Sequence, residues 1–413
     1  MRAPQVRQRS DYTFKHNASA GRFGWLRLTP AYSVKIVDQI LEKRPGGTRV
    51  LDPFAGTSTT ALYATYRGHE ATTVEINPFL VWFGRTKTDR YSESIVKVAR
   101  NQSAIVLKAT RTNRTNSAPA PPIHNIDRWW NSPVLSFLRQ LKGALDELLP
   151  GTSPSKALLL VAFCRTMITL SNAAFNHQSM SFKDISQVDL FKDLDLTSHY
   201  ESIYTDNLEF VLASATHNPN RKSTIIQGDA RALQSVVRGK FDMVITSPPY
   251  PNRMSYIREL RPYMYWLGYL REAREAGELD WQAIGGTWGI ATSRLMDWER
   301  NKEGFYPNCF KKILDRIAHV DNKNGELLSK YVAKYFEDIW SHLNSMLPVL
   351  SRGSRVHYIV GNSTFYDILL PTEHLYADML AELGFSNIQV KTVRKRNSKK
   401  ELFEFEVSGA YGV

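Results

Sequence analysis

The chain has 413 residues, with 53 Lys and Arg against 40 Asp and Glu, a formal charge of +13 at neutral pH and 43% hydrophobic residues. That length accommodates two or three structural units, and the basic balance favours an anionic partner such as nucleic acid. Two distant cysteines, Cys164 and Cys309, exclude a disulfide framework and a thiolate zinc site, so no metal is expected. No run approaches the ~20 apolar residues of a membrane span, and the basic N-terminus lacks a signal peptide's apolar core. A cytoplasmic protein with no membrane partner is the expectation.

In chain order, residues 1–22 lack periodicity and are expected to be loose. A helix is predicted from Tyr32 to Glu42, then a Pro-Gly-Gly break and a strand in "RVLDPF". "TSTTALYATYRG" continues as helix and "EATTVEINP" as strand, a parallel α/β unit that makes residues 23–98 one half of a domain. The Pro-, Ser- and Thr-rich "TRTNRTNSAPAPP" and two long apolar helical stretches mark 99–220 as a helical insertion. The α/β pattern resumes over 221–270 with "STIIQGDARAL" and "FDMVITSPPY", two strands each ending in a polar loop. Between 271 and 345, "DWQAIGGTWGIATSRLMDWER" resists assignment, whereas Ser329 to Leu350 reads as helix. Residues 346–413 supply a strand "SRVHYIVGNS", a helix "LYADMLAELGF" and a closing antiparallel pair, "NIQVKTVRKR" with "LFEFEVS".

Four strand ends carry chemistry. "LDPFAGTSTT" ends a strand in an acid and then small residues, which lets a ligand approach the backbone where open α/β sheets bind ligands; an ordinary tight turn is the competing account. Glu75, at the end of the next strand, can accept both hydroxyls of a ribose, or simply cap a surface strand. Asp229 in "IIQGDARAL" can receive an exocyclic amine, although Gly-Asp is also a plain turn signal. In "SPPY" two prolines remove two amide donors, so Ser247, Pro248 and Pro249 present acceptors at a strand tip while Tyr250 offers a flat face for a planar ring. Such a corner suits an amine whose lone pair must attack.

The ordered set "RVLDPFAGTSTT", "TTVEINP", "GDARAL" and "DMVITSPPY" resembles the S-adenosylmethionine-dependent amino-methyltransferases of DNA, and the serine form is similar to their N4-cytosine branch. The resemblance implies a Rossmann-like, mostly parallel seven-stranded α/β sheet with a reversed last strand, S-adenosylmethionine as cofactor and a base flipped from double-stranded DNA. It implies that Asp52, Pro53, Phe54, Ala55, Gly56 and Thr57 form the cofactor loop, Glu75 the ribose acid, and Asp229 with Ala230 the adenine contact. It implies that Ser247, Pro248, Pro249 and Tyr250 form the catalytic corner. Ser58 stands where that family's loop usually has a second glycine. A cognate restriction endonuclease as partner, and a monomer or homodimer, fit the same picture.

Alternatives differ in class. N6-adenine methylation uses the same corner, though most such enzymes carry an acid in place of Ser247; an RNA methyltransferase and a non-catalytic nucleic-acid-binding subunit are the others. C5-cytosine chemistry needs a cysteine beside proline, which neither cysteine provides. For DNA, Arg253 and Arg258 are candidate phosphate contacts, and Arg294 and Arg300, in a Trp-containing stretch with Trp288 and Trp298, are candidate base readers. "KTVRKRNSKK" is the densest basic cluster and a candidate backbone grip. Trp129 and Trp130 read as core anchors.

Overall fold

A computed structural model describes residues 9–28, 31–42, 44–174, 181–182, 196–287, 290–301, 303–320, 324–396 and 401–412. Seven strands form the central sheet: β1 (Arg49–Asp52), β2 (Glu70–Glu75), β3 (Ser223–Gln227), β4 (Phe241–Thr246), β5 (Leu350–Gly361), β6 (Phe385–Lys395) and β7 (Phe403–Tyr411). Their spatial order is β3-β2-β1-β4-β5-β7-β6. All neighbours pair in parallel except β7, which runs antiparallel to both β5 and β6. The mostly parallel α/β sheet with a reversed last strand is the expected one.

The chain builds outward from β1 through β2 to β3 and then returns to lay β4 on β1's other side. The order therefore reverses between β1 and β4, the point where open α/β sheets leave a crevice at the carboxyl ends of their strands. Alternate residues of the same strands face opposite sides. Leu51, Val74, Val244, Val356, Tyr358 and Val360 join one apolar cluster with the helices Gly325–Met346 and Thr372–Glu382. Val50, Ala71, Met243, Ile245 and Ile359 join another with the helix Val34–Leu41.

Between β2 and β3 lie the helices Pro78–Thr88, Glu93–Arg111, Ser132–Leu148, Pro154–Thr169 and Leu196–Ala215. Four of them contribute buried side chains to a third apolar cluster along with Trp129, Trp130 and Cys164, and Pro78–Thr88 adds Phe79, Leu80 and Phe83. The helix Tyr256–Trp266, following β4, packs into this same cluster through Ile257, Leu260, Tyr263 and Met264. The insertion is thus braced against the helix that follows β4. Among the described residues no helix is long and apolar enough to cross a membrane.

One sequence expectation is corrected. Residues 9–24 are not loose: they form three short helical turns with Tyr12, Asn17 and Arg22 buried. Arg22 donates to the carbonyls of Lys87 at 3.0 Å and Asp89 at 2.5 Å and to Asn218 Oδ1 at 2.9 Å. Long-range polar contacts of this kind leave no periodic trace in the sequence. The unassigned stretch, 280–300, holds the end of Ala273–Gln282 and the helix Ile290–Asp297; Asn308–Ala318 follows it and precedes the Gly325–Met346 helix.

Candidate active site

The loop after β1 makes a sharp turn. Asp52, 1% exposed, accepts at Oδ1 from the Phe54 N–H at 3.1 Å and from the Thr246 hydroxyl at 2.6 Å, tying β1's tip to β4's. Burial pushes its carboxyl up to about 6, against the pull of those bonds. Gly56 and Ser58 both take left-handed backbone, at φ 49° and 56°. The carboxylate of Glu75, at β2's end, accepts from the Gly56 N–H at 2.8 Å and the Asn77 N–H at 2.9 Å. Burial pushes this carboxyl up to about 7.

Asn77 then caps the Pro78–Thr88 helix, accepting from the Phe79 N–H at 3.0 Å, with Pro78 at the first helical position where no donor is needed. The same helix carries Lys87, 0% exposed, whose Nζ donates to the Thr57 carbonyl at 2.6 Å. Burial pulls its ammonium down to about 7.

A cleft enclosing about 960 Å³, including its open mouth, lies over these strand ends. Pro53, Phe54, Ala55, Gly56, Thr57, Glu75, Asp229, Ala230, Ser247 and Pro249 all line it, together with Tyr32, Tyr256 and Ile257. Asp229 is shared with Arg231, which donates to it through its backbone N–H at 2.8 Å and its guanidinium at 2.7 Å. Burial works to raise the Asp229 carboxyl, but the bonds from Arg231 outweigh it and hold it below its usual range. His342 supports this loop. Burial pushes its imidazole down to about 4, so the ring is neutral; its Nδ1 donates to the Ala230 carbonyl at 2.9 Å and its Nε2 accepts from the Tyr358 hydroxyl at 2.8 Å.

The corner after β4 is held from outside the cleft. The Ser247 hydroxyl donates to the Ile359 carbonyl at 3.2 Å, and the Pro249 carbonyl accepts from the Tyr335 hydroxyl at 2.8 Å. Tyr250 is half-buried; its hydroxyl donates to Glu404 at 2.8 Å, and burial keeps the phenol protonated far above neutrality. Asp52, Pro248 and Tyr250 are not part of the cleft's lining. Strand ends from β1, β2, β3 and β4 thus bring a loop of small residues, two acids and an acceptor-rich corner to one cleft.

No protein-family model matches the chain. Sequence comparison finds the Type II methyltransferase M.MvaI of Kocuria varians, 20% identical over 377 residues, spanning 87% of this chain and 80% of that protein. M.BsoBI of Geobacillus stearothermophilus, also a Type II methyltransferase, is 21% identical over 443 residues, spanning 95% of this chain and 84% of its own length. M.AvaI of a Nostoc species, of the same type, is 21% identical over 430 residues, spanning 97% and 87%. The chain's relatives are Type II methyltransferases. Among solved structures, TrmN from Thermus thermophilus is similar at a TM-score of 0.32 and 10% identity, over 97% of this chain and 53% of that one.

The candidate nucleic-acid residues lie apart from the cleft's lining. Arg253, exposed and in left-handed backbone at φ 61°, sits just past the corner, its N–H donating to the Tyr331 hydroxyl at 3.1 Å. Arg258 is half-buried on the following helix. Arg294 is held in a two-pronged pair with Glu278 at 2.7 Å, and Arg300 reaches the Ser329 hydroxyl at 3.3 Å. Trp288 and residues 397–400 of the basic cluster lie outside the described residues. Sequence reasoning missed Lys87, Tyr335, His342 and Glu404. Their partners, Thr57, Pro249, Ala230 and Tyr250, are far away along the chain, so no local pattern marks them.

Proposed function

We propose that the chain transfers a methyl group from S-adenosylmethionine to the N4 amine of a cytosine flipped out of duplex DNA, directly and without a covalent enzyme intermediate. The observation that carries this reading is a shared wall: Ser247 and Pro249 of the corner face the same cleft as the Pro53–Thr57 loop and Glu75. Amine acceptors and the cofactor's lining then lie within one enclosure, as methyl transfer in one step requires.

The residues fit the cofactor. Glu75 has lone pairs left after its two backbone bonds and suits a ribose diol; burial raises its pKa, the mark of a carboxylate held away from water. Asp229 suits an exocyclic amine. When bound, S-adenosylmethionine supplies an electrophilic methyl carbon on a sulfonium. Ser247 gives its own proton to the Ile359 carbonyl, so its oxygen faces an incoming amine as an acceptor. With the Pro248 carbonyl it takes the two amine hydrogens and leaves the nitrogen lone pair aimed along the cleft. The nitrogen so held would take the methyl carbon that the cofactor supplies, the carbon–sulfur bond giving way as the nitrogen–carbon bond forms, and its surplus proton would pass to water. Tyr250 supplies the stacking face for the base.

The formal charge of +13 suits a polyanion, with Arg253 and Arg258 beside the corner as phosphate contacts. The kinship with Type II methyltransferases supports a role beside a restriction endonuclease of the same specificity. The test is product analysis after incubation of a random-sequence DNA library with labelled cofactor. N4-methylcytosine at one short site is expected. N6-methyladenine or 5-methylcytosine alone overturns the assigned base, and label transferred only to RNA overturns the DNA reading.

A further inference from the structure

The Tyr250 ring is not bare. The Arg396 guanidinium lies over it, with Cζ 5.1 Å from the ring centroid. Gly361, at the end of β5, makes this stack possible: a Cβ there would sit 2.0 Å from Arg396 Nη1 and 2.8 and 2.9 Å from two ring carbons of Tyr250. The backbone after β6 is tied down on both sides of the stack. The Arg396 N–H donates to the Leu402 carbonyl at 2.7 Å, and Asn362, 3% exposed, accepts from the Phe403 N–H at 2.8 Å.

The charges around the ring are unevenly shared. Glu404, 3% exposed, accepts from Tyr250 and from Arg394 at 2.9 and 3.2 Å, so its carboxylate is already balanced by a different arginine. Among the described residues Arg396 pairs with no carboxylate, and its side-chain bond there runs from Nη1 to the Asn362 carbonyl at 2.8 Å. A planar, half-buried, donor-only group, bonded among the described residues through one nitrogen, therefore stands against the aromatic face beside the acceptor corner.

A cytosine whose amine is held by Ser247 and Pro248 has two further polar atoms on its base-pairing edge, N3 and O2, and both are acceptors. They need donors. We infer that Arg396 is a specificity-determining residue for the target base, donating through its guanidinium to the ring acceptors of a pyrimidine bound beside Tyr250. The inference rests on the proposed methyl transfer to a flipped cytosine. It also separates Arg396 from its neighbours Arg394 and Lys395, which are held in ion pairs with Glu404 and Glu401.

The experiment compares wild type with Arg396→Ala and Arg396→Lys on two duplexes that carry the methylated site, one intact and one with an abasic sugar at the target. Equilibrium affinity is measured on both duplexes, single-turnover methylation on the intact one, and cofactor affinity serves as the check that each variant is folded. Arg396→Ala is expected to bind the intact duplex about 10- to 100-fold more weakly, with little change on the abasic one and none in cofactor affinity. Arg396→Lys, which keeps the charge and loses the fork, should fall between. An equal loss on both duplexes marks a phosphate contact and overturns the inference, as does no loss on either. Wild-type protein that methylates no DNA at all is the separate failure of the underlying reading.

Discussion

Ser58 shows how one side chain constrains another across the loop after β1. It sits in left-handed backbone at φ 56° and ψ 39°, where a non-glycine residue is strained by ~1 kcal/mol or more. Its hydroxyl is buried and has no partner among the described residues, and a Cβ on Gly84 would lie 2.3 Å from it. Gly84 on the Pro78–Thr88 helix is therefore the complement of Ser58. Replacing Ser58 by glycine removes both strain and an unpaired hydroxyl, at the cost of a looser unfolded chain. Chemical denaturation should show Ser58→Gly more stable by about 1 kcal/mol, whereas Gly84→Ala should be less stable than wild type.

Glu75 sets a pH dependence of its own. Burial holds its carboxyl at about 7 in the fold against a usual 4.5, with Asp52, held at about 6, a smaller contributor to that rise. The folded state therefore binds more protons than the unfolded chain between these values. By linkage, stability is highest at or below pH 4.5 as far as this group is concerned, falls as pH rises towards 7, and then levels off. After discounting for solvent at the cleft, the loss is on the order of 1 to 2 kcal/mol. Urea titrations from pH 4 to 8 should show Glu75→Gln gaining stability relative to wild type as pH rises, the remaining slope being set by the other shifted groups, Asp52, Glu259, His342 and Lys87 among them. Identical slopes would remove Glu75 from the buried, cleft-facing role.

At the level of elements, the helix Gly325–Met346 holds both sides of the cleft. Tyr331, Tyr335, His342 and Ser345 fall on one face by helical spacing. They bond in turn to the Arg253 N–H at 3.1 Å, the Pro249 carbonyl at 2.8 Å, the Ala230 carbonyl at 2.9 Å, and again the Ala230 carbonyl at 2.9 Å. One helix thus spaces the Ser247–Tyr250 corner from the Asp229–Ala230 loop. Tyr335→Phe removes the donor to Pro249 and also strands the Tyr376 hydroxyl, which lies 3.0 Å from that of Tyr335. A stability loss of about 1 to 3 kcal/mol is expected. Turnover should fall by more than cofactor affinity does, because the corner is loosened while the Pro53–Thr57 loop and Glu75 keep their own bonds; calorimetry and single-turnover rates separate the two.

For the whole molecule, the strand ends could be read from the sequence because each is a local event. An apolar run stops, an acid or a serine follows, and glycine or proline dictates the turn, so "LDPFAG", "VEINP", "GDA" and "SPPY" mark four places on one sheet without any knowledge of how the strands pair. The closing pair β6–β7 showed itself through alternation. What tertiary structure alone decided is which chemically similar residues meet. Arg294, Arg300, Arg394 and Arg396 look alike in the sequence; Arg294 is locked to Glu278 and Arg394 to Glu404, whereas Arg396 lies over Tyr250 behind Gly361. The N-terminal turns, Lys87 under the loop after β1 and the inward polar face of the Gly325–Met346 helix belong to the same class. Their partners are distant in sequence, and the energy of a buried hydrogen bond or ion pair depends on burial and on the partner's place in space, neither of which has a period that a linear pattern can carry.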